Sequence, residues 1–260
     1  MIKTLLVLVV FVLVSIPAFA QAVKTNPDSI PFAPAVNYQV GSGPTSVFCA
    51  DLDRDLDLDL AVANEGSFYV SILKNNGNGT FQSPAHYVAG GGPYSVFCAD
   101  LDGDSDLDLA VANAGDSVSI LLNNGDATFQ PVVNYRAGSF LYCVFCADLD
   151  GDLDLDLAVA DPGRSSVSIL LNNGDATFQT PVKYQAGSFP ASVFCADLDG
   201  DRDLDLAVAN YSSGNVSILK NLSQPEPVPT LSEWGLIIIT TLLAALPVYL
   251  ATKRRKATSA

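Results

Sequence analysis

DLDRDLDLDLAVAN at Asp51–Asn64 returns as DLDGDSDLDLAVAN at Asp100–Asn113, DLDGDLDLDLAVAD at Asp148–Asp161 and DLDGDRDLDLAVAN at Asp197–Asn210. The copies begin 48 or 49 residues apart, so the chain is an array of four internal repeats. In each copy aspartates fall at positions 1, 3, 5, 7 and 9: Asp51, Asp53, Asp55, Asp57 and Asp59; Asp100, Asp102, Asp104, Asp106 and Asp108; Asp148, Asp150, Asp152, Asp154 and Asp156; Asp197, Asp199, Asp201, Asp203 and Asp205. This odd-number spacing lets one short loop wrap a hard cation in oxygen ligands, and calcium is its natural occupant. Five carboxylates so close repel one another at any plausible dielectric, and a divalent ion reverses the sign of that term. A solvated acidic face, the usual meaning of a charge run, has no need of the same five positions filled four times.

The loop is not an EF-hand, because position 12 is Val62, Val111, Val159 or Val208 instead of a bidentate Glu. It runs directly into a strand: Leu58, Leu60 and Val62 alternate with Asp59, Ala61 and Ala63, the period-two pattern of one buried face. The Gly-Gly-x-Gly-x-Asp nonapeptide of a parallel β-roll is also missing. Each repeat reads as four short strands, namely a Ser-Val-Phe-Cys-Ala-Asp run, the Leu-Asp-Leu-Ala-Val-Ala strand, a Val-Ser-Ile-Leu strand and an outer strand such as Val132–Ala137. Asn76-Gly77, Asn124-Gly125 and Asn173-Gly174 mark a hairpin between the third and fourth. A four-stranded antiparallel unit of this length is a propeller blade by size.

The stretch SVFCADLDGDSDLDLAVANAGDSVSILLNNGDATF, Ser95–Phe129, resembles the FG-GAP or VCBS-type calcium-binding propeller repeat, and the resemblance runs over residues 32–221. It implies a calcium loop with side-chain ligands at positions 1, 3, 5 and 9 and a main-chain carbonyl at 7. In copy two these are Asp100, Asp102, Asp104 and Asp108, with the carbonyl of Asp106. The chain departs from the pattern at position 6, where glycine is common in the family and this sequence has Leu56, Ser105, Leu153 and Arg202. Position 4 is Gly103, Gly151 and Gly200 but Arg54 in copy one. Glycine is favoured where the backbone enters φ > 0, so the affinity expected is below the family norm, most of all in copy one.

The expected fold is therefore all-β: a propeller of four four-stranded blades, with calcium loops at 51–59, 100–108, 148–156 and 197–205, and one C-terminal transmembrane helix. Phe32–Val40 reads as an outer strand with no blade before it, while copy four stops at Asn221 after its third strand. The first strand is thus placed to complete the last blade and cover an exposed edge. A closed four-bladed ring and an open stack that pairs with another chain both satisfy that pattern.

Residues 1–20 carry Lys3, an apolar run from Leu5 to Ile16 and Ala18-Phe19-Ala20, the layout of a secretory signal peptide cut before Gln21. A lead, 21–31, precedes the repeats. Residues 222–234 form a Pro-rich linker, and the apolar stretch 235–252 is long enough to span a bilayer as a helix. The basic tail 253–260, with Lys253-Arg254-Arg255-Lys256, marks the cytoplasmic end. Val228-Pro229-Thr230-Leu231-Ser232-Glu233-Trp234-Gly235 resembles the IPTLxxWG-type sorting signal of bacterial surface proteins, with Val for the usual Ile. That resemblance implies an exosortase-like transpeptidase as processing partner, and a product anchored through its C-terminus and then passed to the cell surface or the extracellular space.

Net charge is −15, which excludes nucleic acid as a partner, and four Ca²⁺ would leave −7. Cys49, Cys98, Cys146 and Cys195 recur at one inner-strand site, where a small apolar side chain is buried, and equivalent atoms of neighbouring blades do not meet disulfide geometry. Cys143 and Cys146 point to opposite faces of a strand, so the C-x-x-C string is packing and not redox chemistry. No G-x-S-x-G or H-E-x-x-H string occurs, and the sole histidine, His86, aligns with Asn37, Asn134 and Lys183. The function expected is a non-catalytic surface module for adhesion or for binding a glycan, matrix or protein ligand. Its candidate contacts lie where the copies diverge: Glu65, Phe68 and Tyr69; Asp116; Asp161–Arg164; Tyr211. The alternative is an extracellular hydrolase or lyase on the same scaffold.

Overall fold

The computed structural model describes residues 32–223. The expected signal peptide, the lead, most of the expected linker, the expected transmembrane helix and the basic tail lie outside the described residues. Among those described, no helix is long and apolar enough to cross a membrane. The chain divides into two units, Met1–Asn37 and Tyr38–Ala260. In the first, Phe32–Asn37 forms no regular element.

The second unit is a succession of antiparallel sheets. Sheet one holds β1 (Pro44–Ala50), β2 (Asp59–Asn64), β3 (Tyr69–Leu73) and β4 (Ala85–Val88) in sequence order. Sheet two holds β5 (Pro93–Ala99), β6 (Asp108–Asn113), β7 (Ser117–Leu121) and β8 (Val133–Arg136). Sheet three holds β9 (Cys143–Ala147), β10 (Asp156–Asp161), β11 (Ser166–Leu170) and β12 (Val182–Gln185), and sheet four holds β13 (Pro190–Ala196), β14 (Asp205–Asn210) and β15 (Asn215–Leu219). Each is a blade of propeller type, with its inner strand packed on the inner strand of the next: β1 on β5, β5 on β9, β9 on β13.

The Leu-Ala-Val-Ala strands are apolar on both faces because the second and third blades each lie between two others, while the first and fourth each pack on one. Leu109 and Val111 of β6, with Val96, Cys98 and Leu121, pack on Ala61, Ala63, Val70 and Ile72 of the first blade. Ala110 and Ala112, with Val118 and Ile120, receive Val144, Cys146, Leu157, Val159 and Leu170 of the third. Ala158, Ala160 and Val167 receive Val193, Cys195, Leu206 and Val208 of the fourth. Large residues thus form each blade's leading face, and alanines on the trailing face admit them. Phe48, Phe97, Phe145 and Phe194 run as a ladder along the inner strands, with ring centroids 4.9, 5.1 and 4.7 Å apart.

Two expectations change. Sheet four has three strands among the described residues, and Phe32–Val40 forms no strand. A strand needs a partner edge, which the alternation of a single segment does not supply. Cys49 is exposed, unlike Cys98, Cys146 and Cys195. Burial at this site comes from the preceding blade, and among the described residues no blade precedes the first. All five cysteines are free, and burial pushes the Cys195 thiol up to about 12. The β3–β4 connections are wider than two-residue turns: Asn76, Asn124 and Asn173 donate their N–H to the carbonyls of Thr80, Thr128 and Thr177.

Candidate metal centre

All four acidic loops lie at one end of the sheets, between the first and second strand of each. Their backbone is organised by the aspartates themselves. Position 1 accepts two N–H groups: those of Gly103 and Ser105 on Asp100 at 2.9 and 3.0 Å, and those of Gly151 and Leu153 on Asp148 at 2.7 and 3.1 Å. Asp51 takes those of Asp55 and Leu56, and Asp197 those of Gly200 and Arg202. Position 5 accepts the N–H of position 7, as in Asp106 to Asp104 at 2.8 Å. These turns require φ > 0 at positions 4 and 6, and Leu56, Ser105, Leu153 and Arg202 all stand there, at 72°, 72°, 77° and 81°. Three glycines and Arg54 (φ 62°) hold position 4.

Position 9 opens the second strand and is fully buried in every copy, as Asp59, Asp108, Asp156 and Asp205. Each of these carboxylates pins two chain segments. Asp108 accepts the Leu101 N–H at 3.0 Å and the Asn123 N–H at 2.8 Å, and the same pair of bonds recurs at the other three. Burial, partly offset by these N–H groups, pushes Asp108 up to about 7 and Asp156 up to about 6.

Positions 1, 3 and 9 bring carboxylate oxygens within 4.8 Å of one another in all four copies: Asp51, Asp53 and Asp59; Asp100, Asp102 and Asp108; Asp148, Asp150 and Asp156; Asp197, Asp199 and Asp205. The carboxyls of positions 5 and 7 lie outside these groups. At position 7, Asp57, Asp106 and Asp154 lean on Gly77, Gly125 and Gly174, where an added Cβ would stand 2.7, 2.7 and 2.6 Å from a carboxylate oxygen. Asp53 Oδ1 is buried with no hydrogen-bond donor on it, which suits an oxygen site awaiting a cation. The residues therefore fit a hard, oxygen-seeking metal ion, and each cluster has the groups to hold one.

Two features of these loops escape the repeat pattern. Lys74 Nζ lies 2.6 Å from Asp53 Oδ2, and Lys220 Nζ 2.9 Å from Asp199 Oδ2, each on the position-3 ligand of its own copy. The same place in copies two and three is Leu122 and Leu171, a difference visible in the sequence only once the third strand is seen to end beside the loop. Arg54 reaches across to Asp106 at 2.5 Å and to the Asp104 carbonyl at 3.1 Å, tying the first loop to the second.

The opposite end of the sheets carries aromatic side chains. Tyr94 and Tyr142 stack at 4.2 Å and 8°, Phe140 and Phe189 contact Tyr142 at 5.3 and 5.2 Å, and Tyr211 follows Phe189 at 5.7 Å. Burial and the Tyr94 neighbour raise the Tyr142 hydroxyl above its ordinary range. Phe68 and Phe189 sit at φ 60° and 57°, a left-handed conformation that bulky residues rarely adopt. Of the divergent residues singled out from the sequence, Tyr211 joins this strip and Glu65 and Phe68 lie in a turn on the same edge. Asp116 pairs with Arg136 at 3.1 Å. Asp161 is buried, where it receives the Ser139 N–H at 3.3 Å, so it is a packing residue equivalent to Asn64 and Asn113. The signal for Tyr94 and Tyr142 was divergence too, since copies one and four have Thr45 and Ala191 there.

His86 Nδ1 lies 3.0 Å from Ser71 Oγ, but Ser71 is fully buried and also receives Asn64 Nδ2 at 2.9 Å. Copy two makes the same cross-strand contact with Asn134, which accepts from Ser119 Oγ at 2.6 Å. The pair is a strand-to-strand link.

Among curated proteins no sequence matches the chain. Several solved structures are similar to it. A lectin of Agrocybe aegerita, solved for specific recognition of non-reducing terminal N-acetylglucosamine, is 26% identical with a TM-score of 0.47, covering 68% of this chain and 52% of its own. The Photorhabdus luminescens Tc holotoxin pore is 21% identical at a TM-score of 0.43, over 68% of this chain and 9% of its own. BBS1N in complex with ARL6DN is 20% identical at 0.47, over 71% and 56%. The chain thus spans about half the length of the lectin and far less of the toxin. The IPTL-CTERM motif matches residues 226–255, and that motif implies an exported, cell-surface protein. The FG-GAP-like repeat matches residues 51–111, 100–159 and 148–208, more than half of the chain and the same loops in which the carboxylates converge, and the chain belongs to that family.

Proposed function

We propose that this is an exported, surface-displayed, calcium-binding repeat protein that acts as a non-catalytic binding module for a glycan, matrix or protein ligand. The observation that carries the reading is the two-ended build of the blades. At one end, three carboxylates converge identically in four copies. At the other, Tyr94, Phe140, Tyr142, Phe189 and Tyr211 form one partly exposed aromatic strip that no single repeat contains.

Calcium would be held by positions 1, 3 and 9 of each loop, with further oxygens from the loop. It would supply positive charge to a carboxylate cluster otherwise held together against its own repulsion. The chain's contribution is geometric: the position-9 carboxylates tie the loop to the end of the third strand, so whatever firms the loop also firms the blade. Aromatic rings at the far edge offer flat apolar faces with polar rims, the surface that sugar rings and interface side chains stack on. Catalysis needs a group that breaks the symmetry, and in the Ser71–His86 pair that does so the serine is buried and serves as a strand-to-strand link. The membrane helix and an exosortase-like enzyme complete the proposal as the anchor and the processing partner.

Thermal unfolding of the full chain in detergent, with calcium and with chelator, tests the metal half: a ligand bound only by the folded state raises the midpoint. Binding to an immobilised panel of glycans and matrix proteins tests the other, with Tyr142→Ala and Tyr211→Ala as the variants. A midpoint indifferent to calcium, or ligand binding unchanged by both substitutions, would sink the respective half.

A further inference from the structure

The fourth blade lacks half of a repeat, and the N-terminal segment has the sequence of that half. Repeats one to three continue past their third strand into a Phe, then a Tyr six residues later: Phe81 and Tyr87, Phe129 and Tyr135, Phe178 and Tyr184. Repeat four leaves this pattern after Asn221. Phe32 and Tyr38 have the same spacing, and Val36-Asn37-Tyr38 repeats Val133-Asn134-Tyr135.

Among the described residues β15 has no outer partner. Between sheets three and four lies a cavity of about 380 Å³, with Leu149, Ile169, Leu171, Tyr184, Leu206 and Leu219 in its wall. At the two earlier junctions the corresponding space is filled: Phe129 stands on Tyr87 at 5.1 Å and Phe178 on Tyr135 at 5.2 Å. Tyr184 has no such ring and is 47% exposed, while Phe32 is 88% exposed. Tyr38, for its part, stands edge-on to Phe81 at 5.4 Å and accepts the Phe81 N–H at 3.3 Å. It holds the place at blade one that the outer-strand tyrosine of a preceding blade holds at blades two and three.

The two end faces are likewise the two halves of the internal junction. Val47 on the leading face of blade one is 60% exposed, against 3% or less for Val96, Val144 and Val193. Val216 on the trailing face of blade four is 62% exposed, against 0% for Val70, Val118 and Val167. The first and fourth blades of one chain therefore do not cover each other. With Tyr38 held on blade one, the blade that receives this segment belongs to another molecule.

We propose that two copies of this chain pair head to tail by strand exchange. Phe32 of one copy fills the cavity beside Tyr184 of the second. Val36–Gln39 adds to the second copy's β15 as its fourth strand, in the register of the other blades: Val36 opposite Ile218, Asn37 opposite Ser217, Tyr38 opposite Val216. The leading face around Val47 then packs on the trailing face around Val216 and Ile218, as Val96 packs on Val70 and Ile72.

The test uses two differently tagged full-length chains in detergent, one Asn37→Cys and the other Ser217→Cys, mixed and oxidised. Residues at this pair of positions hydrogen-bond across the strands in blade one (3.0 Å) and blade two (2.6 Å), so the thiols come within bonding reach. A disulfide joining position 37 of one tag to position 217 of the other, identified by mass spectrometry, is the expected result. Phe32→Ala should weaken dimerisation of the otherwise native chain roughly 10- to 100-fold in sedimentation, the worth of burying one such ring. Alkylation of Cys49, exposed on the leading face, should slow as the native chain is concentrated. A native chain that stays monomeric at every concentration overturns the proposal. So does a 37–217 link that forms only within a doubly substituted single chain.

Discussion

Replacing Lys74 by leucine asks whether the four metal loops are equivalent. The ammonium group lies 2.6 Å from Asp53, on an oxygen that a bound cation needs, and the Asp53 pairing raises the Lys74 pKa. Both positive groups cannot share that oxygen, so binding must displace the lysine. Its side chain is 35% exposed and free to swing outward, which limits the penalty. Loss of this ion pair, in which only the lysine is substantially exposed, costs about 0.5–1 kcal/mol. An ammonium withdrawn to about 8 Å still repels a divalent ion by about 1 kcal/mol in water. The sum, about 1.5–2 kcal/mol, is roughly a 10- to 30-fold deficit in affinity for copy one. Copy four, with the more exposed Lys220, has a deficit of the same sign, whereas Leu122 and Leu171 leave copies two and three unopposed. Calorimetric calcium titration of the full chain should therefore resolve two tighter and two weaker sites. Lys74→Leu should move one weak site into the tight class, Leu122→Lys should do the reverse, and both shifts should shrink as salt is added. Four indistinguishable sites in the native chain, or an isotherm that Lys74→Leu leaves in place, would refute the reasoning.

Leu153→Gly removes a bulky residue from φ 77°, where a non-glycine residue costs about 1–2 kcal/mol, offset by about 0.5–1 kcal/mol of extra unfolded-state freedom. A net gain of about 0.5–1 kcal/mol is expected in denaturant unfolding, and a loss would show that the left-handed turn is not required. Asp108→Ala strips the acceptor from the buried N–H groups of Leu101 and Asn123, and should cost about 2–4 kcal/mol in the same assay. In chelator, the raised Asp108 and Asp156 make the folded chain hold more protons than the unfolded one as pH climbs from about 4 to about 7. Their contribution to stability then falls with rising pH, so the ion-free unfolding midpoint should be higher at pH 5 than at pH 8, and the calcium-induced increase larger at pH 8.

Much of the fold was legible because its signals are local. Alternation in Leu-Asp-Leu-Ala-Val-Ala placed the second strands, and the fourfold recurrence of the aspartates placed the loops at one end of every blade. At the position-4 and position-6 departures from glycine the backbone is left-handed, since Arg54, Leu56, Ser105, Leu153 and Arg202 all lie at φ > 0. What the repeat concealed was contact between elements distant in the chain. Lys74 is 21 residues beyond Asp53, and no loop pattern includes it. Arg54 looked like a defect within its own loop, yet it bonds the next one. The aromatic strip draws one or two rings from each of three repeats, so no single copy displays it.

The amino-acid sequence by itself determined the repeat, the strand order within a blade, the acidic loops and the sorting motif, because each is written in residues close together in the chain. Tertiary structure decided which aspartates converge, why the strands are apolar on both sides, and that among the described residues the blades end in two uncovered faces. Those depend on how one blade sits against the next, a packing between large leading-face side chains and small trailing-face alanines that alternation along a strand does not encode.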